Sequence, residues 1–284
     1  MKKLVAAVLT AGVSLVFASG ALAASHNPTG EWANFAECPL NNPVVEQCVF
    51  SETTGGSVKL GSKTVPIVNP AKLQGGFSGF GTEIQFYGAE NGETLSKAPQ
   101  PVPGGLLGLL NCKEQTNIII KGLCEAALEN GLTGANATLE LAAPATQIKI
   151  NTENLIFEEG TALELPVKVH LENPLLGNNC YIGSNAKPIV IAFTTGTSGS
   201  LQGEAGEISF NELFDRTIVT GSKLVNNTFA APAAAGCGGP LINLVVDPVV
   251  NSMVGLPAGS GTNSAILEAN FETGAAESVR ASEP

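Results

Sequence analysis

Residues 162–195, ALELPVKVHLENPLLGNNCYIGSNAKPIVIAFTT, decide the architecture. Leu163, Leu165, Val167, Val169 and Leu171 alternate with Glu164, Lys168, His170 and Glu172. Alternation with period two marks a half-buried β-strand, apolar on one side and polar on the other. At about 3.3 Å per residue it runs to roughly 35 Å, long enough for a central strand of a sheet. Asn173 and Pro174 end it, because proline has no N–H to donate, and Gly177, Asn178 and Asn179 supply turn chemistry before Cys180. Residues 189–193 are an unbroken apolar run, expected to lie deep against the first strand or to face it across a sandwich.

Outward from this stretch the chain reads as many short strands. They fall at 44–52, 57–60, 63–68, 82–87, 137–143, 147–150, 155–157, 200–204, 207–210, 217–229 and 265–273, and Thr54, Gly55 and Gly56 give a hairpin signal. GGFSGFG at 75–81 lacks the GxGxxG spacing and reads as a bulged strand rather than a phosphate loop. KAPQPVPGG at 97–105 is stiffened by its prolines. It suggests an N-terminal β region (24–97), a connector (98–105) and a main β domain (106–284), or one continuous domain. Two helical insertions are expected. Near 106–130 a cluster of Leu106, Leu107, Leu109 and Leu110 either packs on the core or forms an exposed patch for a partner. Near 240–255 the apolar period turns to about 3.6, and Asp247 before Pro248 suggests two short helices in tandem. The fold class expected is therefore all-β, an antiparallel β-sandwich or barrel-like fold with short helical insertions, stapled by disulfides.

Residues 1–23 combine Lys2 and Lys3, an apolar run and Ala21-Leu22-Ala23, the pattern of a cleavable secretory leader. The mature chain is expected to begin at Ala24 and to have no membrane span, since no later stretch reaches eighteen apolar residues. No lipid-attachment cysteine or LPxTG-type sorting signal occurs, so any attachment to a cell surface would be non-covalent. The leader holds two of the 14 basic residues and none of the 25 acidic ones, so the mature net charge is −13. Such a charge disfavours nucleic acid as a partner. All six cysteines follow the leader, and an even number in an exported chain argues for disulfides. Spacing favours nearest neighbours: Cys38 with Cys48, Cys112 with Cys124, and Cys180 with Cys237. No CxxC occurs and only two histidines exist, which weighs against a zinc site.

Candidate chemistry is sparse. His26 lies in the lead-in, and His170 reads as a solvated strand residue; with Asp215 and Asp247 as the only aspartates and no GxSxG elbow, a catalytic triad is disfavoured. Two aspartates this far apart cannot build a calcium loop. The remaining catalytic option is a pair of glutamates, as in glycoside hydrolysis, drawn from Glu140, Glu153, Glu158, Glu159, Glu164 and Glu172. Trp32, the sole tryptophan, either plugs an edge of the core or is an exposed stacking residue. No catalytic, cofactor-binding or metal residue is assigned. The reading is a secreted, non-enzymatic envelope or extracellular protein, structural or adhesive, whose partner would be a protein or polysaccharide of the envelope; the competing class is a secreted hydrolase.

The segment LPVKVHLENPLLGNNCYIGS, residues 165–184, with the flanking NLIFEEGTAL, resembles uncharacterised secreted proteins of actinobacteria. That resemblance implies export and a bacterial source. It carries no activity and no functional residues.

Overall fold

The computed structural model of the chain describes residues 26–213 and 215–284, so residues 1–23, where a leader is expected, lie outside the described residues. The chain first lays down β1 (Gln47–Leu60), β2 (Lys63–Pro66), β3 (Ala71–Ser78) and β4 (Gln85–Gly88). It then crosses through β5 (Gln100–Pro101), α1 (Gly105–Leu109), α2 (Ile118–Glu129), β6 (Asn136–Leu141), β7 (Lys149–Ile150) and α3 (Thr152–Phe157). Next come β8 (Leu163–Glu172), β9 (Tyr181–Ile182), β10 (Ile189–Phe193), β11 (Thr197–Ser198) and β12 (Leu201–Gln202). It returns through β13 (Glu207–Phe210), β14 (Arg216–Asn226), β15 (Ala234–Ala235), α4 (Gly239–Val254), β16 (Ser264–Ala275) and α5 (Ala276–Ala281).

These strands make two antiparallel sheets and a small β11–β12 hairpin. The first runs β13-β14-β16-β1-β3-β4, with β2 also on β1; the second runs β15-β9-β8-β6-β5, with β7 and β10 also on β8. Leu73, Val58, Ala269 and Phe271 of the first sheet face Leu165, Ile191 and Phe193 of the second across one apolar core. The sheets meet at one edge, where Thr194 and Val225 exchange backbone hydrogen bonds of 3.0 and 2.8 Å, but they do not close into a barrel. The fold is a disulfide-stapled β-sandwich. Residues on both sides of the proline-rich segment share the first sheet, since β1 pairs with β16 as well as β3.

β8 is the centre of the second sheet. β10 and β9 pair with one edge, and β7 and β6 with the other. Its alternation holds: Leu165, Val167, Val169 and Leu171 are buried while Lys168, His170 and Glu172 are half-buried on the other side. β10 also alternates. Ile189, Ile191 and Phe193 are buried but Val190 is 45% exposed, so the run is sunk on one side only.

Three local readings are corrected. Thr54-Gly55-Gly56 is no hairpin; β1 runs straight through it with a bulge against β16 between Thr53 and Gly55. Gly56 has φ +102°, and a Cβ there would sit 2.0 Å from the Ile266 carbonyl, so the glycine serves a close strand approach rather than a reversal. Residues 155–157 belong to helix α3, whose start is capped by Asn151 accepting from the Asn154 N–H at 3.0 Å. Residues 239–254 form one helix with Pro248 inside it. The carbonyl that Pro248 leaves without a donor is that of Leu244, which is exposed and can take water. Asp247 does not cap: its carboxylate accepts from the Cys237 and Gly236 N–H groups at 2.7 and 3.1 Å. Asn251, one turn on, both donates to and accepts from the Ala234 backbone. Together the two side chains strap the β15 segment onto α4.

The disulfides join Cys38 to Cys48, Cys112 to Cys124 and Cys180 to Cys237, with no free cysteine. Beside the last, a Cβ on Gly236 would lie 2.2 Å from the Asn179 carbonyl, so only glycine lets the two loops approach. A second small core lies on the outer face of the first sheet, where Trp32, Phe35, Cys38, Leu40, Cys48 and Val279 pack together. Trp32 is buried there rather than exposed for stacking, and it rests over Gly274, whose missing Cβ leaves the space.

Candidate functional site

The outward side of β8 gathers a dense group of ionisable side chains. Register sets Glu140 of β6 beside Lys168, Thr138 beside His170, and Tyr181 of β9 on the other flank of His170. His170 is therefore not a solvated strand residue. Its ring stacks on Tyr181 with centroids 4.4 Å apart, and its Nδ1 lies 3.5 Å from a carboxylate oxygen of both Glu140 and Glu172. Glu172 also accepts from the Thr138 hydroxyl at 2.7 Å. Glu140 accepts from the Tyr181 hydroxyl at 3.4 Å and lies 3.8 Å from Lys168 Nζ. Lys168 in turn stands 4.7 Å over the Tyr181 ring and donates to Asn185. Burial, then the Glu140 carboxylate, holds the Tyr181 phenol above its ordinary range, since both disfavour phenolate. His170 Nε2 is buried with no partner among the described residues.

Of the candidate glutamates, then, only Glu140 and Glu172 converge. Glu164 is taken by Lys149 at 2.6 Å, and Glu158 accepts from the Ala205 N–H at 3.0 Å. Glu153 lies in α3 and Glu159 is exposed just after it. The gap between Glu140 and Glu172, which a glycosidase would leave for a sugar and a water, is filled by His170. His26 makes a separate contact: Nδ1 is 2.8 Å from Glu283, and Nε2 is at ion-pair distance, 3.1 Å, from Glu90 without hydrogen-bond alignment. Asp215 and Asp247 are engaged structurally, Asp215 first by Ser278 and then by Asn211, which hold its carboxyl below the usual range. No group of three or more His, Cys, Asp or Glu side chains among the described residues is arranged to hold a metal ion.

The inward side of β8 differs. Between the sheets lie two adjoining apolar voids of about 80 and 50 Å³. Both are bordered by Val58, Ile67, Gln100 and Leu139; the larger extends to Phe193 and Ala269, and the smaller to Leu109 and Lys63. Sequence reading missed them because a void is a property of packing between strands distant in sequence. The helical layer of α1, α2 and α4 flanks the smaller one through Leu109 and Val254. Leu106, Leu109 and Leu110 are buried, so the greasy cluster is core; the large exposed apolar residues of this layer are Ile118, Ile119, Leu128, Leu241 and Leu244.

Fold and site together define a class: a disulfide-stapled antiparallel sandwich with a self-paired polar cluster outside and an incompletely filled apolar interior. No protein-family model, curated protein or solved structure matches the chain. No helix among the described residues is long and apolar enough to cross a membrane.

Proposed function

We propose that this chain is an exported, non-enzymatic protein of the cell envelope or extracellular space, acting as a structural or adhesive component on a protein or polysaccharide partner. The leader pattern and three disulfides support export into an oxidising compartment. One observation carries the non-enzymatic part: the converging carboxylates of Glu140 and Glu172 are both engaged by His170, with Thr138, Tyr181 and Lys168 completing the set. The same convergence supports a second reading, a hydrolase that uses the pair after His170 swings aside.

The test is to fractionate the producing cells and to assay the purified mature chain on a panel of polysaccharides and aryl glycosides beside Glu140→Gln and Glu172→Gln. The expected result is recovery with envelope or medium, saturable retention on envelope material, and no turnover that either variant removes. Turnover lost in both variants would transfer the chain to the hydrolase class.

A further inference from the structure

We propose that the paired voids between the sheets are a binding site for a single-chain carboxylate amphipath, a fatty acid of short to medium length, with its tail between the sheets and its head on Lys63.

The interior presents little for water to bond: the larger void meets the hydroxyls of Ser51, Thr53 and Ser96, and the smaller has none. Gln100 is the one buried polar side chain bordering both voids, and its amide is fully used within the protein: the oxygen accepts from the Val68 and Asn69 N–H groups, and the nitrogen donates to the Asn69 and Ala98 carbonyls. A space lined mainly by apolar side chains in this way favours an apolar occupant. The two volumes, about 80 and 50 Å³, adjoin at Val58, Ile67, Gln100 and Leu139. Joined past those shared side chains, they would approach the roughly 150 Å³ in which an apolar protein cavity takes up benzene, room for a run of several methylenes.

The head group follows from charge. On β2, Lys63 and Val65 share the inward side and both border the smaller void. Lys63 Nζ lies beside α1, 3.9 Å from where a Cβ on Gly108 would stand. Among the described residues Lys63 has no ion pair and no side-chain hydrogen bond, although the chain carries 25 acidic residues against 14 basic ones. A cation that borders an apolar void and has no carboxylate of its own complements a ligand that brings one. Lys72 also borders the larger void but is turned outward, 5.7 Å over the Phe50 ring, and does not serve as the head-group site. The anchorage of this end is firm: the Ser62 N–H donates to the Val254 carbonyl at 2.7 Å, and the Gly61 N–H to Asn263 at 2.9 Å.

The experiment is calorimetric titration of the disulfide-intact mature protein with sodium octanoate and with 1-octanol, followed by linear carboxylates of increasing length. Octanoate is expected to bind at one site about tenfold tighter than octanol, the contribution of one charge-assisted contact. Affinity should rise about fourfold per added methylene until the voids are full and then level off. Lys63→Met should reduce octanoate to the octanol level, and Lys63→Arg should retain the preference. Absence of saturable binding by any chain would overturn the site itself. Equal binding of acid and alcohol, or a preference that survives Lys63→Met, would overturn the assignment of the head group and leave Lys63 a cation that merely reaches past apolar surface to water.

Discussion

The two faces of β8 solve opposite problems. Outside, Lys168, His170 and Glu172 sit among Thr138, Glu140 and Tyr181, and nearly every polar atom is matched by a neighbour one strand away. Inside, Leu165, Val167, Val169 and Leu171 are buried but the layer they help to form is not filled. The difference teaches where each face keeps its reserve. Polar partners on adjacent strands satisfy one another in a plane, whereas apolar filling needs volumes from two sheets to match across about 10 Å. Stability should therefore come from the inner side, even though the outer side holds more named interactions.

Perturbing the inner side should give the largest losses. Removing Cys180–Cys237, which closes 57 residues, by Cys180→Ala with Cys237→Ala is expected to cost about 4 kcal/mol in the chain-entropy account. Removal of either local bond, spanning 10 or 12 residues, should cost about 1 kcal/mol less. Urea unfolding without reductant measures this, and equal losses for all three bonds would refute the loop-length account. Phe193→Ala, at a residue 1% exposed on the wall of the larger void, should follow at roughly 3 kcal/mol by the same measurement. On the outer side His170→Phe keeps a ring on Tyr181 and deletes both carboxylate contacts. Its cost should stay within about 1 kcal/mol, because both contacts are long, 3.5 Å, and the carboxylates keep Thr138, Tyr181 and Lys168 as partners. A loss as large as that of Phe193→Ala would erase the contrast between the faces.

The smallest effect concerns pH. Tyr181 keeps its phenol proton in the fold above the value of 10.0 at which an unfolded chain releases it, first through burial and then through Glu140. Its contribution is thus intact below pH 10 and is lost as pH rises through the higher folded value. Tyr181→Phe should flatten that alkaline decline, and Glu140→Gln should move the phenol titration down without abolishing the burial effect; ultraviolet titration of the phenol reads both.

Much of this was legible from residue order. Alternation gave β8 its length and both its faces, and loop closure between neighbouring cysteines matched the disulfides that form. What failed had local causes. Gly55 and Gly56 look like a turn, but whether a glycine reverses a strand or permits a close approach depends on the opposing strand, here Ile266. The leucines that set the helical period near 240, Leu241 and Leu244, are 93% and 87% exposed, and the core side is Val246, Val250 and Val254 instead. Glu140, His170 and Tyr181 come from three strands, so their meeting depends on registers that no single stretch of sequence encodes.

The most direct test of the central claim, an apolar interior with room to spare, is the sign of one substitution. Ala269 on β16 is 4% exposed and borders the larger void. Ala269→Val adds two methyl groups there with a side chain suited to a strand. The account predicts that urea unfolding of this variant shows a gain in stability of up to about 1 kcal/mol, as apolar carbon enters empty space. A loss of about 1–3 kcal/mol, the usual result of overpacking a filled core, would contradict it.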